Sequence, residues 1–139
     1  KGEEDALSEV STVFEDMGAI WRALTGRTET MAMDAGGKAL RPQAIHYPRG
    51  GGFFDWHIHE LAPQGIGLIL GLSKGGRDFE SGGTRFRADG QELDSVKAHD
   101  IGDICLFRYD VGHSVGEVDG NYPLEWGGTG RWTMVLPLM

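Results

Sequence analysis

Two textures divide the chain. From residue 3 to about 24, Leu7, Val10, Phe14, Met17, Trp21 and Leu24 recur every three or four positions, the period that lines one face of an α-helix. Glu3, Glu4 and Asp5 open the segment, where carboxylates complement the positive end of the helix dipole. Gly26 follows as a stop signal. The pattern predicts one amphipathic helix whose apolar stripe packs on whatever follows.

From about residue 43 the apolar segments become short and are punctuated by Gly, Pro and Asp. Strands are expected at 43–47, 53–59, 66–72, 83–87, 95–98, 103–108, 113–118 and 131–136. Eight short strands after one helix predict a mainly β fold, a double-stranded β-helix or jelly roll, which shelters its own edges. The 23 glycines among 139 residues suit a fold with many tight turns. That length fits a single domain spanning 1–139, with the helix at about 3–24 and the β core at about 43–138.

Charge narrows the function classes. A formal net charge of −8 with no cluster of Lys or Arg argues against a nucleic-acid partner and leaves small-molecule chemistry. The single cysteine, Cys105, forms no internal disulfide and suits a packing role between Ile104 and Leu106 in a reducing, cytoplasmic setting. No stretch is apolar enough to span a bilayer, and "KGEEDAL" does not read as a secretion signal, so no membrane partner is expected.

The chemistry concentrates in "GGFFDWHIHE", residues 51–60. On an unbroken strand, Phe54, Trp56 and Ile58 point one way, and Asp55, His57 and His59 the other. Two imidazoles at i and i+2 can share one ion, and imidazole suits iron, zinc, copper or nickel. His113 stands 54 residues beyond His59, after the turn and strand "GDICLF", which is ample for a return across a sheet. His46 and His99 lack partners at ligand spacing and are expected to be structural.

The ordered set "YPRG" at 47–50, "WHIH", "SGGTRF" at 81–86, "GDICLF" at 102–107, His113 and "GRWTMVLPL" at 130–138 resembles the iron(II)- and 2-oxoglutarate-dependent dioxygenases, from about residue 43 to the end. The resemblance implies Fe(II) as cofactor, 2-oxoglutarate as co-substrate, dioxygen as oxidant and a small-molecule substrate that is oxidised, most simply by hydroxylation. That family holds its metal with a His-x-Asp/Glu pair and a distal His. His57 and His113 match the outer two ligands, while His59 stands where the carboxylate belongs.

A three-histidine site, recruitment of Asp55 or Glu60, and a site that no longer activates oxygen are all compatible with this departure. Strand parity favours His59 over Glu60. By the same resemblance Arg131 would anchor the oxoacid's remote carboxylate, because its planar fork can grip both oxygens. Thr133 would share its face, and Tyr47 would add a hydroxyl.

Trp56 and Trp126 are expected in the core or the pocket wall. Lys74, Arg77, Asp78 and Glu80 read as a solvated turn, and Arg85, Arg87 and Arg108 as cations within reach of an anionic substrate. A cupin-type three-histidine metal protein is the alternative: Gly51, five residues and His57-x-His59 look like its first motif, although the expected downstream Glu is displaced. A jelly-roll binding module without catalysis is the third reading. Oligomeric state has no signature in the chain.

Overall fold

The computed structural model describes residues 2–32 and 36–139. Helix α1 (Glu3–Thr25) ends at Gly26, whose left-handed φ of 69° lets its N–H bond back to the Arg22 carbonyl. Phe14, Met17 and Trp21 bury against Leu68, Leu70, Met134, Leu136 and Leu138. Full burial of such side chains stabilises by about 1.5–3 kcal/mol each. The apolar stripe is longer than the contact: Leu7 and Val10 remain 70% and 42% exposed.

Strands β1 (Gln43–Arg49) and β2 (Gly52–His57), the short helix α2 (Leu61–Gln64), β3 (Ile66–Gly71), β4 (Thr84–Ala88), β5 (Gln91–Asp94), β6 (Ile104–Arg108), β7 (Gly112–Val118) and β8 (Glu125–Val135) follow in chain order. They form two four-stranded antiparallel sheets, ordered β1-β8-β3-β6 and β2-β7-β4-β5. The protein is mainly β, and this order is consistent with a jelly-roll-like arrangement.

Period-two alternation explains the layering. On β3 and β8 the residues Leu70 and Met134 belong to the core under the helix, while Ile69 and Val135 line a cavity of about 390 Å³ against the second sheet.

The structure corrects two sequence expectations. The fifth strand is Gln91–Asp94 rather than 95–98, which forms a turn in which Ser95 accepts bonds from the N–H groups of Ala98 and His99. Asp89 and Gly90 both have positive φ, 51° and 75°, the two-residue hairpin geometry that Asp-Gly favours, and this pairs Ala88 with Gln91.

The second correction concerns the histidine strand. It stops at His57, and its pairing with β7 slips between Gly52 and Phe54 and again between Phe54 and His57. Bulges break strict alternation. Phe54, assigned by parity to the face opposite His57, therefore lines the same cavity and meets the His57 ring edge-on with centroids 4.5 Å apart.

Candidate metal centre and its cavity

His57 closes β2, and His113 sits directly across from it near the start of β7. His59 lies beyond the strand. Its position is set by the loop: its N–H bonds to the Tyr109 carbonyl at 3.1 Å, and its ring stacks on Tyr109 with centroids 4.1 Å apart. One ligand atom from each of the three histidines lies within 4.8 Å of the other two.

Two of the rings are already oriented. His57 Nδ1 lies 2.8 Å from the Asp55 carbonyl and His113 Nδ1 lies 2.9 Å from the Val111 carbonyl. A carbonyl only accepts, so each Nδ1 donates and each Nε2 keeps its lone pair for an ion. Burial pushes the His113 pKa down to about 4, and burial followed by the neighbouring His57 lowers that of His59. Both rings are therefore neutral at pH 7, as ligation requires. The donor set fits a divalent transition metal. Asp55 and Glu60, the carboxylates the sequence offered as substitutes, are not part of the cluster.

Thr84 pairs with Val115 on the sheet that carries His113, and Phe86 pairs with His113 itself. Thr84 thus lies about 7 Å along the strand from the histidine level. There its hydroxyl accepts a 2.7 Å bond from Arg131 Nη2. Arg131 is only 4% exposed, and among the described residues no carboxylate comes within ion-pair distance of it. Burial lowers its pKa from the ordinary value, with Tyr47, Cys105 and Asp94 opposing the shift only through space. A buried cation left without a counter-charge is costly.

Tyr47, paired with Arg131 across β1 and β8, presents its ring 5.5 Å from the guanidinium. It lines the cavity, and burial raises its hydroxyl pKa. Arg131 and Thr133 are both buried, and neither is part of the cavity wall; Arg131 lies behind Thr84, which is.

Thr84, rather than Thr133, is the hydroxyl that touches Arg131. It stood inside the "SGGTRF" motif, but only the facing of the two sheets reveals its partner. Tyr109 and Gln64 were likewise invisible as cavity residues in the sequence.

Other expected participants lie elsewhere. Arg85 and Arg87 pair with Glu92, and Arg108 with Asp110. Trp56 lies beneath Arg87, 3.7 Å from its guanidinium carbon, and Trp126 is 77% exposed rather than in the core. His46 stacks on Trp132 and bonds Thr129, and His99 bonds the Asp103 carbonyl, which are structural roles. Lys74 and Arg77 pair with Asp100 and Asp78 in a surface loop. Burial raises the Cys105 thiol pKa.

No protein-family model matches the chain, and no curated protein matches it. A solved structure does. The fold is similar to that in the crystal structure of a Pseudomonas putida prolyl-4-hydroxylase, with 22% identity and a TM-score of 0.52. The match covers 72% of this chain and 51% of that one, so the chain spans about half the length of that hydroxylase. At this identity the likeness concerns the fold. Among the described residues no helix is long and apolar enough to cross a membrane.

Proposed function

We propose that this chain is a non-haem iron(II)- and 2-oxoglutarate-dependent oxygenase, built as one double-stranded β-helix domain, that oxidises a C–H bond of a small molecule. The observation that carries this reading is Arg131. A buried guanidinium with no carboxylate partner among the described residues, beside a cavity holding three convergent imidazoles, is matched by a ligand with one carboxylate for the metal end and another for the cation. 2-Oxoglutarate has that form. The prolyl-4-hydroxylase fold supports the same class.

In this reading His57, His59 and His113 hold the iron, Arg131 grips the remote carboxylate with Thr84 fixing the fork, and Tyr47 closes the side of the pocket. Iron with the oxoacid and dioxygen would supply the oxidising chemistry when bound. The protein's contribution is placement and exclusion of water. Phe54 and Phe107 pack against the His57 and His113 rings, Val115, Ile45 and Ile69 add apolar wall to the same cavity, and the backbone carbonyls of Asp55 and Val111 keep two imidazoles in the ligating tautomer.

His59 in place of a carboxylate leaves the bound ion at its full charge of about +2, which a dianionic oxoacid balances. Metal and oxoacid should accordingly strengthen each other's binding. We further propose a cytoplasmic location, with no nucleic-acid or membrane partner.

Anaerobic titration of the iron-loaded protein with 2-oxoglutarate tests the assignment. A visible iron-to-oxoacid charge-transfer band is expected. Iron bound without that band would favour the second reading, a cupin-type three-histidine protein acting without an oxoacid, for which the all-histidine donor set is the specific support. Failure to bind any divalent transition metal would favour a binding module.

A further inference from the structure

We propose that Gln64 selects the primary substrate, and that this substrate is a neutral, mainly apolar molecule presenting an N–H or O–H donor, such as a secondary amide or an alcohol. The inference rests on the oxygenase reading and adds a substrate class to it. Gln64 ends α2, the segment that leads away from His59. Its position relative to the histidines is held by backbone bonds: the His59 N–H donates to the Tyr109 carbonyl, and the Tyr109 N–H donates to the carbonyl of Gly65, the next residue after Gln64. From the other side the buried Trp21 indole N–H donates to the Gln64 main-chain carbonyl at 3.2 Å. Its carbonyl and that of the following residue are both held by these bonds, so the side chain is presented from a fixed base.

The side chain lines the same cavity as the histidines, and its amide oxygen, Oε1, is buried without a hydrogen-bond partner among the described residues. A buried acceptor left unpaired is unfavourable, and a ligand donor placed in the cavity would relieve it. The surroundings decide the rest of the ligand. Among the described residues that line the cavity there is no Asp, Glu, Lys or Arg. Apart from the three histidines, its polar members are Gln43, Gln64, Thr84 and two tyrosines, and Phe54, Phe107, Ile45 and Val135 dominate the walls. A charged substrate would lose its hydration there with nothing to replace it. Arg131 lies behind Thr84, outside the lining, and in the oxygenase reading serves the co-substrate. The histidine end thus faces a neutral wall with one acceptor open.

Matched probes separate the chemistry. Manganese(II)-loaded protein with saturating 2-oxoglutarate is titrated with N-methylbenzamide and N,N-dimethylbenzamide, and with benzyl alcohol and benzyl methyl ether, following paramagnetic relaxation of the probe protons by NMR. Each donor-bearing probe should bind about tenfold more tightly than its methylated partner, and benzoate and benzylammonium should bind more weakly than either donor.

In Gln64→Leu the donor preference should collapse to near unity. Gln64→Glu keeps the acceptor, so it should retain the preference and admit benzylammonium. Manganese and 2-oxoglutarate affinities measured on the same samples check the fold of each variant. Equal binding of methylated and unmethylated probes, a preference for the methylated member, or an unchanged preference in Gln64→Leu with normal metal and oxoacid binding would overturn the role of Gln64 and leave the oxygenase reading standing. Loss of metal or oxoacid binding by the unaltered protein would overturn both.

Discussion

The two sheets differ in what covers them. The β1-β8-β3-β6 sheet is packed on its outer side by α1, through Phe14, Met17 and Trp21, and on its inner side by the cavity residues. The β2-β7-β4-β5 sheet has no helix on its outer face among the described residues. There Arg85, Arg87, Glu92 and Trp56 make exposed ion pairs and ring contacts. The covered sheet carries the buried cation Arg131 and its neighbour Tyr47, and the uncovered sheet carries the metal-site histidines His57 and His113. The division suits the chemistry proposed. An anchor for a fixed carboxylate gains from a rigid, doubly packed setting, and donors that must close on an ion gain from an edge strand with bulges.

Breaking the covered side should have the largest effect. Trp21→Ala removes the most buried aromatic of the helix–sheet contact and should destabilise the protein by about 3–5 kcal/mol, read as a lowered urea midpoint. A loss under about 1 kcal/mol would mean that α1 does not brace that sheet.

Arg131→Met comes next and separates function from stability. Charge-assisted hydrogen bonds contribute about 1.5–3 kcal/mol each, so 2-oxoglutarate affinity should fall about a hundredfold while metal affinity in the absence of oxoacid is retained. Because the guanidinium is buried with no counter-charge among the described residues, the ligand-free variant should be as stable as the parent or more so. Thermal denaturation together with oxoacid titration checks both halves.

His59→Asp addresses the other sheet's site. Supplying a carboxylate beside the ion should tighten iron or manganese in the absence of oxoacid by about tenfold or more, an attraction of order 1.4 kcal/mol, measured by competition with a chelator. Weaker binding would show that the aspartate cannot reach the ion that the histidine reaches.

The pH dependence of the metal-free protein is a smaller effect with a definite sign. His113 is held neutral by burial, with its pKa pushed down to about 4, and His59 is shifted in the same direction. The unfolded chain takes up these protons below about pH 6.5, before the folded one does. Stability is therefore full above about pH 6.5 and falls as the pH is lowered toward 4. Urea midpoints at pH 7.5, 5.5 and 4.5 should decline in that order, and saturating metal at pH 7.5 should raise the midpoint.

The smallest change is expected on the uncovered face. Trp56→Ala removes the Arg87 contact from a solvent-facing site and should cost about 0.5–1 kcal/mol. A loss comparable to that of Trp21→Ala would erase the distinction between the sheets.

Much of the architecture was legible because it is periodic. The α1 stripe and seven of the eight strand positions follow from apolar spacing, and the Gly26 stop from its place after the last turn. The misplaced strand lay beside an Asp-Gly pair whose turn preference outweighed the apolar content of 95–98. At the site, the histidine convergence could be anticipated from residue types and spacing. The reason given for His59 could not hold, because the strand ends before it and a loop bond to Tyr109 places it instead.

By itself the amino-acid order determined the helix and most of the extended segments, which histidines and which arginine were available, and that Lys and Arg are not clustered along the chain. Those properties are local, set by a side chain and its neighbours within a few positions. Tertiary structure alone decided that Arg131 meets Thr84 instead of a carboxylate, that Phe54 turns toward the histidines, and that the Gln64 oxygen is left open in the cavity. Each depends on which groups from distant strands arrive opposite one another, and a buried polar atom is satisfied or unsatisfied only once that arrangement exists.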